Sequence, residues 1–258
     1  MHESKGYFLE VDIEDFPEEL HDWFNDLPLA PETIAPRDVG STSSSGAKLI
    51  CHFKAKKNYV IYYKNLEYYL SKGMKISKIH RVMEFTEEAF MKPYIDFNTA
   101  QRKNAKNDFE KDFWKLMSNA VFGKSMENVR NRQNIRLCSK PNLFQRAINK
   151  PTFKKRTIFS EDLVALHMNK IKVQFYKPIY IGLAVLELSK LHMYQFYYDV
   201  LKEHYGSKLK LLYMDTDSFI LEVTFENEDG YNKDNFHNFM KKNPDHFDTS
   251  DYRKNHEL

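Results

Sequence analysis

The 258-residue chain is 42% apolar and 15% aromatic, a composition that supports a folded core in one large or two small domains. Its longest apolar run, Pro178 to Leu186, falls far short of the roughly 20 residues that cross a bilayer, which argues against a membrane partner. Two cysteines, Cys51 and Cys138, are too few for a disulfide framework or a zinc site and point to a reducing, intracellular compartment.

The start, MHESKGYFLEVDIEDF, carries no hydrophobic signal region and alternates like a strand from Tyr7 to Glu14. Ser41 to Gly46 (STSSSG) reads as a flexible loop. Asn58 to Tyr63 and Met74 to Phe85 are strand candidates flanking a short helix around Leu66 to Ser71. Pro93 to Met126 reads as two helices with a break near Asn104 to Asn107. On the second of them Lys115, Asn119 and Phe122 stand at i, i+4 and i+7 and share one face. A cation, an amide and a ring in line can hold a nucleotide by its phosphates, its sugar or base edge, and its ring plane. Gly123 leaves room for close approach beside Phe122, while Phe109, Phe113, Leu116 and Met117 are expected on the core side. The GKS at 123–125 imitates the end of a phosphate loop, but Ser118 occupies the required glycine position and no strand precedes it.

Charge is distributed unevenly behind a net +3. Between Lys124 and Ser160 ten basic residues accompany one acid, Glu127, so that segment carries +9 and the remainder −6. Lys124, Arg130, Arg132, Lys154, Lys155 and Arg156 belong to it and are expected to bind DNA phosphates through counterion release, whatever the bases. A merely solvated face, the competing reading, would usually interleave both signs. Ile179 to His204 reads as a long amphipathic helix with Leu183, Leu186, Leu191, Tyr194 and Tyr198 towards the core, packed beneath the next element.

That element is a β-hairpin. Lys208 to Met214 (KLKLLYM) and Phe219 to Val223 (FILEV) have strand composition, with Asp-Thr-Asp at their junction. Period two on an extended backbone would put Asp215 and Asp217 on one face, with Thr216 pointing away. Two like charges so close need a counter-cation, and hard oxygen ligands suit Mg²⁺, as phosphoryl transfer by two metals requires. Taken alone, DTDS reads equally well as a solvated acidic turn. A calcium loop is disfavoured because Phe219 sits where further oxygen ligands and a glycine should begin.

Together the two motifs resemble those of family B DNA polymerases, which carry a Lys-x-x-x-Asn-x-x-Tyr-Gly helix in the fingers and a Tyr-x-Asp-Thr-Asp-Ser hairpin in the palm. Lys115, Asn119 and Gly123 match the first, with Phe122 in place of tyrosine, and Tyr213, Asp215, Thr216, Asp217 and Ser218 match the second in full. KLMSNAVFGKSMENVR, with ELHDWFNDLPLAPE, HRVMEF, KPYIDFNTAQR and FDTSDY, is similar more narrowly to the protein-primed branch of organelles, viruses and large eukaryotic transposons.

The resemblance implies an α+β fold: a partial right hand of fingers helices plus a palm with antiparallel sheet and catalytic β-hairpin. It divides the chain into a palm-associated region (1–92), fingers (93–126), a basic insertion (127–165), palm with hairpin (166–225) and a truncated palm-to-thumb connection (226–258). It further implies DNA-directed DNA polymerase activity, with Asp217 as principal and Asp215 as assisting metal ligand and catalytic residue for two Mg²⁺ ions. Lys115, Asn119, Phe122 and Arg102 would meet the incoming nucleotide. Primer-template DNA, dNTPs and a terminal priming protein are the implied partners, and the nucleus or a site of viral or transposon replication the implied location.

The family's upstream Asp-x-x-Ser-Leu-Tyr-Pro type motif is not found. Asp12 to Pro17 is one residue short of it and lacks the serine and the Leu-Tyr pair. Asp12 or Glu14 supplies that carboxylate only if their strand lies beside the hairpin. The chain is therefore read as an internal piece of a longer polymerase, with little activity alone and weak DNA binding through its basic segment. A non-catalytic nucleic-acid-binding remnant and a metal-dependent nuclease are the alternatives.

Overall fold

The computed structural model describes residues 4–40, 42, 46–224 and 233–247. Most of the expected STSSSG loop and of the 226–258 connection, including FDTSDY beyond Phe247, lies outside them. The chain divides into two units, Met1–Glu88 with Leu186–Leu258, and Ala89–Val185. Among the described residues no helix is long and apolar enough to cross a membrane.

The first unit opens with β1 (Ser4–Ile13), the one-turn α1 (His21–Phe24), the short pair β2 (Glu32–Ile34) and β3 (Lys48–Ile50), then β4 (Lys56–Tyr62), α2 (Tyr63–Ser71) and β5 (Ile76–Glu87). β1 is the centre of an antiparallel sheet ordered β4-β1-β5. Alternation sends Leu9, Val11 and Ile13 into the main core, while Phe8 packs on the other face against Tyr62 and Phe85 (ring centroids 5.4 and 5.3 Å). The expected strands and helix are present, each shifted by a few residues at its ends.

The second unit begins with α3 (Lys92–Lys103) and α4 (Asp108–Ser125). The expected break between them is real, and its cause is local. Asn107 accepts the Glu110 N–H (2.8 Å) as the α4 cap, and Glu110 reaches back to the Lys106 N–H (2.9 Å). There follow β6 (Asn134–Cys138), α5 (Pro141–Ile148), β7 (Phe153–Ser160) and β8 (Leu163–Met168). These strands form an antiparallel sheet ordered β6-β8-β7. Leu166, Met168 and Cys138 on one of its faces pack with Ala147, Phe144 and Ile148 of α5 in a small core of their own.

The long helix starts as α6 (Ile179–Gln195), passes through wide π-type turns over 196–202 and finishes as α7 (Glu203–Tyr205). Leu191, Tyr194 and Tyr198 are buried as expected, but Leu186 is exposed and Glu187 takes the inward position instead. The buried Glu187 carboxylate pairs with Lys190 through one oxygen (2.5 Å) and leaves the other without a hydrogen bond, while its backbone carbonyl accepts from Asn65 (2.7 Å). The π-type turns then bring Tyr197 and Tyr198 inward together. Tyr194 donates to the Pro28 carbonyl (3.0 Å), Tyr198 to Leu27 (2.7 Å), and Tyr197 and Lys202 both to Asp26 (2.7 and 2.8 Å). The DWFNDLPLAPE segment is thereby tied to this helix by phenol groups. Tyr198→Phe leaves the buried Leu27 carbonyl without its donor, so it is expected to cost about 1–2 kcal/mol in a urea unfolding titration.

The last described elements are the hairpin strands β9 (Leu209–Asp215) and β10 (Ser218–Val223), then α8 (Lys233–Lys242). Leu209, Leu211, Phe219, Leu221 and Val223 join the main core, and Phe219 packs against Phe196 and Tyr197 (6.3 and 5.6 Å). The long helix lies under the hairpin, as the sequence predicts.

Candidate functional site

The hairpin tip is built by two local departures from regular pairing. Ile220 faces Tyr213 and Leu221 faces Leu211, which leaves Leu212 as an unpaired bulge. Simple alternation would put residue 215 on the core side with Leu209 and Leu211. The extra residue reverses that parity, so Tyr213 and Asp215 come to the open face, where Tyr213 and Ile220 are each more than half exposed. Beyond it, Thr216 and Asp217 form the two-residue turn between the paired Asp215 and Ser218. Thr216 has a left-handed backbone (φ 47°), and the Asp217 N–H bonds to the Asp215 carbonyl (2.5 Å).

The period-two expectation therefore fails at the tip, because the backbone there is a turn and not a strand. The two aspartates instead flank Thr216 at the turn. Both aspartates are exposed, and neither is ion-paired among the described residues. Asp215 accepts from the Thr216 hydroxyl (3.2 Å), and its carbonyl accepts from the Ser218 hydroxyl (3.2 Å). A depression of about 380 Å³ beside the tip is lined by Thr216, Asp217 and Ser218, with His192, Phe196 and Phe247. Among the described residues no group of three or more His, Cys, Asp or Glu is arranged to hold a metal ion.

Asp12 is occupied elsewhere. Lys57 and Asn58 oppose it as a bulge in β4, and its carboxylate accepts the Asn58 N–H (2.9 Å), with His80 Nε2 at 2.9 Å and Lys57 Nζ at 3.4 Å. β1 pairs with β4 and β5, whereas β9 and β10 pair with each other. The Asn58 N–H, followed by His80, holds the Asp12 carboxyl down to about 2. With a folded value below the ordinary one of about 3.9, Asp12 stabilises the fold above pH ~4, and that contribution disappears as pH falls through about 2. Asp12→Asn is expected to lower the melting temperature at neutral pH and to flatten its decline between pH 4 and 2. An unchanged acid limb would show that Asp12 does not carry it.

Lys115, Asn119, Phe122 and Arg102 all lie on the second unit. Lys115 and Asn119 are exposed, Phe122 is half-buried, and Lys115 has no ion-pair partner among the described residues. A Cβ at Gly123 would meet nothing within 4 Å, so the close approach expected there has room. Arg102 is half-buried with its Nε unpartnered.

The core assignment on α4 needs correction. Phe109, Phe113 and Leu116 are 80%, 43% and 62% exposed, and only Met117 of the expected four is partly covered. The covered stripe runs instead through Glu110, Trp114, Met117 and Val121. Trp114 meets Phe97 of α3 (5.7 Å), and Tyr94 donates to the Met117 carbonyl (3.1 Å). One helix partner covers one stripe and leaves the neighbouring apolar face open.

The basic segment is divided by the structure. Glu127, its lone acid, collects Lys124 (3.0 Å), Arg132 (2.6 Å) and Lys177 (3.1 Å), and Arg132, with these neighbours, holds its carboxyl well below the usual range. Lys155 pairs across β8 with His167, whereas Arg156 turns to the α5 face and lies 5.8 Å over the Phe144 ring. Arg130 stacks 4.7 Å over Phe175. Lys154 and Lys155 line a hollow with Arg130, Arg132 and Lys170. Lys170, Lys172, Phe175, Tyr176 and Lys177 were not among the residues singled out by sequence, although KIKVQFYK interleaves cations and aromatics visibly.

No curated protein matches the chain. Solved structures with similarity to it include three of phi29 DNA polymerase. Its ternary complex with primer-template DNA and incoming nucleotides is 15% identical, with a TM-score of 0.47 over 87% of this chain and 33% of that one. Its post-translocation binary complex with primer-template DNA is 15% identical, with a TM-score of 0.43 over 88% and 32%. An orthorhombic crystal form is 14% identical, with a TM-score of 0.45 over 87% and 33%. The chain spans about a third of the length of these polymerases. Residues 12–202 match the family described as DNA polymerase type B, organellar and viral, a stretch that includes α4 and stops before the hairpin. With most of its length inside that match, the chain belongs to the organellar and viral type B DNA polymerases.

Proposed function

We propose that the chain carries the nucleotide-incorporating part of a DNA-directed DNA polymerase, which transfers nucleotidyl units from dNTPs to a 3′ hydroxyl on primed DNA. The observation that carries this reading is the hairpin tip, where a bulge and a two-residue turn present Asp215 and Asp217 unpaired on the open end of a core-anchored element, in a chain of this family. The two carboxylates fit Mg²⁺ as hard oxygen ligands, but they make only part of a ligand set. A bound pair of divalent ions supplies positive charge to the α-phosphate and the attacking hydroxyl.

Asp217, assisted by Asp215, holds that charge in place. Lys115 neutralises the triphosphate, Asn119 and Phe122 flank the sugar or the nascent base pair, and Arg102 adds a second phosphate contact. Lys124, Arg130, Arg132, Lys154, Lys155 and Arg156 are the proposed contacts to DNA phosphates. The structure supports Arg130, Lys154 and Lys155 best, because Lys124 and Arg132 share Glu127 and Arg156 faces α5. A terminal priming protein and a viral or transposon setting follow from the motif resemblance alone.

Divalent-metal-dependent extension of a primed template tests the reading. A polymerase-length protein carrying this chain is expected to extend the primer. The isolated 258 residues are expected to give little synthesis, since Asp215 and Asp217 leave two adjacent cations under-ligated. Degradation of labelled DNA in place of extension would assign a nuclease. Binding with neither reaction would assign a non-catalytic remnant.

A further inference from the structure

We propose that Lys202, held by Asp26 and Tyr197, is a positioning residue for the β9–β10 hairpin: it fixes the β9 main chain just before the Leu212 bulge and so keeps Asp215 on the open face. The effect on nucleotide addition rests on the polymerase reading above, whereas the clamp itself stands on the geometry of the first unit.

Among the described residues β9 and β10 pair only with each other, so what lies beneath them sets how they sit. Burial of alternate residues does not by itself demand a bulge. A regular strand would serve as well, with Tyr213 and Asp215 following Leu209 and Leu211 inward. Between the pairs Leu209–Val223 and Asp215–Ser218, however, β9 takes six steps and β10 takes five. That surplus persists only if both strands are held at their lower ends.

Lys202 and Tyr197 hold one strand each. The Lys202 ammonium, on a side chain only 7% exposed, donates to Asp26 (2.8 Å) and to the Leu209 carbonyl of β9 (3.4 Å), and lies 5.9 Å from the centre of the Trp23 ring. Tyr197 is fully buried and donates to the same Asp26 oxygen (2.7 Å), while its ring packs on Phe219 of β10 (5.6 Å), two residues after Asp217. One carboxylate thereby ties both anchors together. Five residues apart on a regular α-helix, Tyr197 and Lys202 would point about 140° away from each other. The π-type turns over 196–202, whose bonds close at i+5, bring them to one side.

A buried ion pair contributes little net stability, because desolvation offsets most of the attraction, and apolar residues of similar size often replace one without loss. A contact to a backbone carbonyl is directional, and it fixes the level of one residue. Register, rather than stability, is what this pair supplies.

The test is the double variant Asp26→Asn with Lys202→Met. It keeps an acceptor for Tyr197 and an unbranched stem but removes the ammonium from Leu209. Tyr213 is 56% exposed on the open face and would turn inward in a regular strand, so thiol labelling of Tyr213→Cys in the 258-residue chain, read by peptide mass spectrometry, reports the face directly. Labelling is expected to slow about tenfold in the double variant, as loss of a charged hydrogen bond shifts the balance between the two arrangements. In a polymerase-length protein with Tyr213 intact, the double variant should lower kcat for primer extension about tenfold to a hundredfold, the effect of a small displacement at the reacting centre. The KM for dNTPs and the primer-template affinity should stay within about twofold, and the urea midpoint close to wild type. If the double variant does not fold, Tyr197→Phe, which removes only the hydroxyl, should move labelling and kcat in the same directions by about threefold to tenfold. Unchanged labelling in a folded variant, or a lowered urea midpoint with kcat unchanged, would overturn the clamp. Slowed labelling in a protein that extends no primer would uphold the clamp and sink the polymerase reading alone.

Discussion

Asp217→Asn, placed in a polymerase-length protein that carries this chain, is expected to reduce primer extension by about a thousandfold or more. The side chain keeps its size, and asparagine is at home in tight turns, so the Thr216 turn and the Asp217 N–H to Asp215 bond survive the change. What is lost is one full negative charge at the point where divalent cations would be held. Losing about 4 kcal/mol of charge stabilisation in the transition state corresponds to about a thousandfold in rate. Asp215→Asn should show a smaller loss, because Asp215 also accepts from Thr216 within the hairpin. Extension at wild-type rates by a folded Asp217→Asn protein would remove the hairpin from the mechanism.

Lys115→Ala is expected to raise the apparent KM for dNTPs about tenfold to a hundredfold, with primer-template affinity changed by less than about twofold. A charge-assisted bond to phosphate contributes about 1.5–3 kcal/mol when formed. Lys115 is exposed and free of other carboxylates among the described residues, so its removal should not disturb α4. Alanine is also the best helix former, and any effect on stability should be slight. Steady-state extension at varied dNTP concentration, paired with a gel-shift titration of primer-template, separates the two quantities. A KM within twofold of wild type would show that Lys115 only meets solvent.

The parts of the site that were legible in the sequence are those set by local chemistry. The α3–α4 break could be read because Asn107 and Glu110 form a capping pair close to their own backbone. The hairpin could be read because two apolar runs of strand composition bracket a short polar junction. The fingers-type face of α4 followed from helical spacing, since Lys115 and Asn119 needed no partner to be placed on one side.

What stayed hidden depends on contacts between distant residues. Nothing in KLKLLYM marks Leu212 as a bulge, since it carries no glycine and fits a strand as well as its neighbours. Yet that one residue decides which face Asp215 occupies. Likewise, helical periodicity favours Leu186 over Glu187 at a buried position, whereas the fold buries Glu187, pairs its carboxylate with Lys190 and fixes its backbone carbonyl through Asn65, more than a hundred residues away. Phe109, Phe113 and Leu116 looked like core because they are apolar, but α3 covers a different stripe of α4. The basic segment was correctly seen as unbalanced. Its division by Glu127 and by the β7 alternation required the fold.

Template-directed nucleotide addition is the activity proposed for the protein that carries this chain. The most direct measurement offers each dNTP singly to a polymerase-length protein carrying the chain, with Mg²⁺, on four primer-templates that differ only in the first templating base. The expected result is extension by the complementary nucleotide alone on each template, abolished by chelation of the metal and by Asp217→Asn. Addition that ignores the templating base, metal-dependent shortening of the primer, or extension that persists in Asp217→Asn would contradict it.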